Sequence, residues 1–98
     1  MSSRKFNDLP IKAIIRQMLE NAGLEKKFDE LEVIEAYHQV MGQLISNRTR
    51  EVKMRGKTLI LKMDSGVLKE ELSHSKSKIM DLINEKMGAV AIEQVEVW

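Results

Sequence analysis

Between Val52 and Met63 the apolar residues of this chain alternate with polar ones, whereas on either side they recur every third or fourth position. A period of two and a period of 3.6 belong to different backbones, so the chain must change from helix to strand and back again. Val52 and Met54 alternate with Glu51, Lys53 and Arg55; beyond Gly56, Leu59, Leu61 and Met63 alternate with Thr58, Ile60 and Lys62. This pattern predicts a β-hairpin that turns near Arg55-Gly56-Lys57, with one apolar and one basic face. Lys53, Arg55 and Lys62 should project outward together, with Lys57 at the tip.

Before the hairpin, Ile11, Ile14, Ile15, Met18, Leu19 and Ala22 follow helical spacing. Asp8 suits a cap and Pro10 the first turn, where its missing N–H costs nothing. Gly23 sits where a left-handed terminal residue is wanted, with Leu24 placed to fold back. Residues 24–30 could form a short second helix. A longer one should follow, with Leu31, Ile34, His38, Met41 and Ile45 on one line and Val33, Tyr37, Val40 and Leu44 beside it. Gly42 interrupts that helix and is expected to end its regular part. After the hairpin, Asp64 or Ser65 can cap a last helix whose buried side is Leu68, Leu72, Ser75, Ile79, Leu82 and Ile83, and Gly88 closes it. Residues 92–98 read as a final strand with Val95 and Val97 inward. Strand, helix, strand in that order brings the third strand into the hairpin's sheet. The expected fold is α+β: helix, short helix, helix, hairpin, helix and strand, with the helices on one face of a small three-stranded sheet. The length of 98 residues suits one domain, 1–98, with residues 1–8 expected to be flexible.

Charge is nearly balanced, 16 basic against 15 acidic side chains, but it is not evenly spread. Arg48, Arg50, Lys53, Arg55, Lys57 and Lys62 fall together with only Glu51 among them. Such a block is either a solvated sheet edge guarded against aggregation or a patch for phosphate or an acidic protein surface. Without cysteine there is no disulfide, thiol nucleophile or cysteine-held metal. His38 and His74 lie on different helices with no spacing that completes a metal site, and His38 is expected to be a satisfied, partly buried residue. No serine occupies a strand–turn–helix elbow and no glycines cluster into a phosphate loop. The six methionines after Met1 fit core filling better than a binding groove. The chain is therefore expected to be a binding module rather than an enzyme, with no cofactor, metal or small-molecule substrate. No apolar run approaches a membrane span and none follows Met1-Ser2-Ser3-Arg4-Lys5, so a cytoplasmic location is expected.

Several fixed positions occur in a recognisable order. Val33-Ile34-Glu35-Ala36-Tyr37-His38-Gln39-Val40-Met41-Gly42 precedes Thr49 and the hairpin; Leu59-Ile60-Leu61-Lys62-Met63 leads into Ser65-Gly66-Val67-Leu68-Lys69-Glu70-Glu71-Leu72; Ile79, Leu82, Asn84 and Gly88 precede the last strand. In joint order and spacing, over essentially the whole chain, this resembles the short, Bacteroidetes-type members of the DciA family. The resemblance implies a KH-like fold, a role with the bacterial replicative helicase that DciA proteins are thought to help load onto DNA, and weak nucleic-acid contact.

Two functional readings follow. In the first, the domain is a non-catalytic replication accessory that binds the helicase, single-stranded DNA, or both, through Arg48, Arg50, Lys53, Arg55, Lys57 and Lys62. With Phe6, Phe28, Tyr37 and Trp98 as the only aromatics, and none of them within the basic block, contacts would be chiefly phosphate-directed. In the second, it is a protein-interaction or dimerisation module with no nucleic-acid role. Ile60, apolar on an otherwise polar strand face, would then meet a partner together with Lys69 and the terminal strand edge.

Overall fold

A computed structural model describes residues 10–98; the expected Asp8 cap, Phe6 and the flexibility expected of residues 1–8 lie outside them. Helix α1 (Pro10–Asn21) and helix α2 (Glu25–Asn47) lead into β1 (Thr49–Arg55) and β2 (Thr58–Met63); α3 (Gly66–Ser73), α4 (Lys76–Met87) and β3 (Gln94–Val97) complete the chain. The sheet order is β1-β2-β3, antiparallel then parallel, as the strand–helix–strand order requires.

Helix α1 begins at Pro10 and ends at Gly23, whose φ of 74° supplies the left-handed residue. Leu24 N–H donates to the Leu19 carbonyl at 2.7 Å and Gly23 N–H to Glu20 at 3.0 Å, a Schellman closure. The expected short helix over 24–30 is not separate; it is the first part of α2. Gly42 does interrupt α2, at φ 83° and ψ 168°, yet helix resumes to Asn47. The break is sharp enough that His38 Nδ1 and Ser46 Oγ lie 2.9 Å apart, although eight residues of straight helix would separate them by about 12 Å. His38 is thus partly buried and satisfied, as its position suggested.

Val33, Ala36 and Tyr37 are buried, whereas Leu31 is 54% and Leu44 is 80% exposed. The expected single helix after the hairpin is two, split at His74 and Ser75, so Ser75 marks a junction and not a buried face. Ser65 caps α3 by accepting from Leu68 N–H, and Gly88, at φ 74°, closes α4.

One core results. Leu59, Leu61, Met63 and Val95 on the inner sheet face meet Val33, Ala36, Tyr37, Leu72, Ile79, Ile83 and Ile92. Each large aliphatic side chain buried there contributes roughly 1.5–3 kcal/mol. Helices α2, α3 and α4 therefore cover one face of the sheet and leave the other to solvent and to its own side chains. Helix α1 adds no buried residue. It is tied to α2 by Arg16, which pairs with Asp29 at 3.0 Å and Glu32 at 3.1 Å and lies over Phe28, and by Lys12 on Glu32 at 3.1 Å. Hydrogen bonding to Asp29 raises the Arg16 pKa, more than its slight burial lowers it.

Candidate nucleic-acid interface

Alternation puts Glu51, Lys53 and Arg55 of β1, Thr58, Ile60 and Lys62 of β2, and Gln94 and Glu96 of β3 on the open face of the sheet. The register sets them in rows: Glu51 opposite Lys62, Lys53 opposite Ile60 opposite Glu96, and Arg55 opposite Thr58 opposite Gln94. Lys53, Arg55 and Lys62 thus share one face, with Lys57 in the two-residue turn that Gly56 opens at φ 63°.

The remaining two basic residues stand apart. Arg48 ends α2 and pairs with Asp64 at 3.6 Å. Arg50 is the extra residue of a bulge, since Thr49 pairs with Met63 and Glu51 already with Lys62; it is exposed at the rim. Lys57 donates to the Val90 carbonyl at 3.3 Å, and its own carbonyl accepts from Glu93 at 2.8 Å, which ties the hairpin tip to the segment before β3.

The face is not of one sign. Arg55 lies 3.8 Å from Glu96, and Lys62 lies 4.0 Å from Glu51. Among the described residues, Lys53 and Arg50 form no ion pair. Exposed pairs of this kind contribute about 0–1 kcal/mol and leave their cations exchangeable.

Two positions need correction. Ile60 does face away from the core, but it is only 2% exposed and offers no contact surface. Diagonal to it stands Trp98, whose backbone extends the β3 ladder: Trp98 N–H donates to the Leu61 carbonyl at 2.7 Å, and its own carbonyl accepts from Met63 N–H at 3.1 Å. The indole has Lys53 Nζ 5.8 Å and Lys62 Nζ 5.9 Å from its centroid. Lys53 stands opposite Ile60 of β2, so the β1 lysine and the ring beyond β3 converge on the outer side of that strand. Trp98 also overturns the expectation that no aromatic stands beside the basic block. The signal was in the sequence: with Val95 and Val97 inward, Trp98 falls on the outward set, next to Lys62 once β3 pairs with β2. Lys69, the other candidate partner contact, is exposed on α3, which packs on the inner face through Leu68 and Leu72. It is not brought together with Ile60.

A groove of about 1070 Å³ lies elsewhere, between the first half of α2, the hairpin tip and the α4–β3 segment. Lys12, Arg16, Lys57 and Lys86 line it together with Asp29 and Glu32, and it shares only Lys57 with the basic set. Among the described residues no cluster of histidines and carboxylates could hold a metal ion, and no helix is long and apolar enough to cross a membrane.

No curated protein and no solved structure matches the chain. The family model described as "Dna[CI] antecedent, DciA" matches residues 10–97, from the first turn of α1 to the last residue of β3. The chain belongs to the DciA family, a family of replication accessory proteins linked to helicase loading and not a catalytic one.

Proposed function

We propose that this chain is a non-catalytic accessory of DNA replication that engages the replicative helicase and holds single-stranded DNA weakly, through the cations of its open sheet face. The observation that carries the DNA reading is the grouping of Lys53, Arg55 and Lys62 on one solvent-facing surface, flanked by Lys57 and Arg50. Two nearby carboxylates temper that surface and make weak, salt-sensitive binding the expected regime. Each phosphate neutralised on a single strand contributes about 0.7 to the slope of log K against log salt. Replacing Lys53, Arg55 and Lys57 by glutamate should weaken retention of an oligonucleotide and flatten that slope by about 2. Binding that ignores both the substitutions and the salt concentration would remove the DNA reading. The helicase reading is tested by co-purification after nuclease treatment: retention of helicase without DNA supports direct contact, and loss on nuclease treatment counts against it.

A second reading, association through protein surfaces alone, is favoured by α1. Its Ile11, Ile14 and Met18 form one stripe and are 46%, 59% and 63% exposed. Sedimentation as a monomer at high concentration would count against self-association through that stripe.

A further inference from the structure

We infer that Trp98 is a stacking site for an unpaired base of single-stranded DNA, with Lys53 and Lys62 placed to take the phosphates on either side of it. This rests on the DNA reading above and adds to it a residue that recognises bases, where cations alone recognise only backbone.

The indole is held at its edge, where the ring nitrogen donates to Glu96 Oε1 at 3.2 Å, and its diagonal neighbour across the ladder is the apolar Ile60, 2% exposed. The ladder bonds to Leu61 and Met63 fix its backbone. Trp98 nevertheless remains 46% exposed, so a pinned ring still presents apolar surface to solvent. A flat aromatic surface fixed in advance is what a nucleobase needs, because stacking tolerates any base and carries little ordering cost when the platform is already rigid.

The lysines supply the second half of the recognition. Both ammonium groups rest near the ring, at 5.8 and 5.9 Å, where attraction to the π-system is weak at an exposed site. A phosphate is a stronger partner, so an arriving strand can draw each lysine off the ring and open the face to the base between them. An acidic peptide would use the lysines but gain nothing from the indole. An apolar peptide would meet Lys53, Lys62, Arg55, Glu51 and Glu96 around a single ring. An unpaired nucleic-acid strand uses both the ring and the cations, and the DNA reading above makes that strand DNA.

Trp98 is the only tryptophan, so its emission reports this site in the intact chain. Titration at low salt with an oligodeoxythymidylate of about 15 nucleotides should quench the emission in step with binding. Read by the anisotropy of an end-labelled oligonucleotide, since the variants lack the emitting residue, Trp98→Ala should lose about 5- to 150-fold in affinity. Trp98→Phe should recover most of that loss, and the salt slope should stay near the wild-type value in both. An abasic oligonucleotide of equal length removes the bases and keeps the phosphates. The wild type should bind it as weakly as Trp98→Ala binds the thymidylate and without quenching, an arm that needs no variant to fold. Salt-dependent binding with no quenching and no preference over the abasic strand would overturn the stacking site and leave the DNA reading standing. No binding of any oligonucleotide would overturn both. An oligoribonucleotide bound tenfold or more tightly than its DNA counterpart would overturn DNA as the occupant.

Discussion

Asn84, in the last turn of α4, should be the polar side chain whose loss costs this fold most. Its carboxamide oxygen accepts from Ala91 N–H at 2.9 Å and from Ile92 N–H at 3.0 Å, and its nitrogen donates to the Ile92 carbonyl at 3.0 Å. One side chain thus satisfies three backbone groups of a segment with no ladder of its own, just where the chain turns from α4 into β3. Ile92 is fully buried, so in Asn84→Ala its N–H stays dry and unpaired, at about 1–3 kcal/mol. Ala91 N–H keeps a second acceptor, the Ala89 carbonyl at 2.9 Å, and adds at most about 0.5 kcal/mol, while the freed carbonyl is the more tolerant group. Alanine returns about 0.5 kcal/mol of helix propensity. The net loss is about 1–3 kcal/mol, or roughly 4–24 °C in Tm for a domain of this size. Asn84→Asp keeps the acceptor for both N–H groups but sets a carboxylate oxygen against the Ile92 carbonyl, 3.0 Å from the lost donor, so it should recover stability only as the pH falls and the acid protonates.

Urea unfolding followed by far-UV circular dichroism, with an unchanged slope, reads both variants directly. A loss below about 0.5 kcal/mol for Asn84→Ala would refute the view that the carboxamide anchors this segment. The consequence reaches the open face, because the same segment delivers β3 and with it Trp98.

Two further substitutions test other parts of the fold. Gly42→Ala should destabilise by about 1–2 kcal/mol in urea unfolding although alanine is the better helix former, because φ 83° with ψ 168° is a glycine conformation; no atom lies within 4 Å of the new methyl, so the cost is backbone strain alone. A stabilised variant would mean that α2 straightens. Burial raises the Tyr37 pKa, against a smaller lowering by its 2.9 Å bond to Thr49. The folded state therefore keeps a proton that the unfolded chain releases near pH 10, and this contribution, fully present below about pH 10, is lost as pH rises toward the higher folded value. Tyr37→Phe should be about 1 kcal/mol less stable at pH 7 but should lose less between about pH 9 and pH 11; a parallel alkaline decline in both proteins would contradict this.

The hairpin was readable because two patterns agreed there: strict alternation fixed which residues face inward, and Gly56 fixed where the chain turns. The α4 terminus was readable for a similar reason, since a left-handed glycine leaves little choice of position. Helix α2 was not, because its apolar stripe is twice as wide as one interface needs. Two lines of residues compete to face inward, and burial goes to Val33 and Tyr37 while Leu31 and Leu44 are left in water. The split at Ser75 leaves no mark in the pattern, since Leu72 and Ile79 keep helical spacing across it. At the open face, alternation correctly sent Ile60 outward but could not say that it would be covered. That depends on a parallel partner 36 residues away, with Thr58 set against Gln94.

The carboxylates on the open face set the strength of any grip on DNA. Glu51 and Glu96 lie near Lys62 and Arg55 at 4.0 and 3.8 Å, and the side chains in both pairs are 40–69% exposed. A phosphate that displaces either carboxylate exchanges one solvated ion pair for another, at a gain of a fraction of a kcal/mol. The displaced carboxylate stays on the face and repels the strand. Lys53 carries no such penalty, and its cross-strand neighbour Ile60 is apolar. The net attraction is therefore concentrated beside the ring rather than spread along the hairpin. Glu96 has a further part, since it also accepts the indole N–H: the carboxylate that weakens the charge of the face is the one that holds the aromatic surface in place. Counting cations in the sequence overstates the net charge that such a face presents and passes over the ring that stands among them.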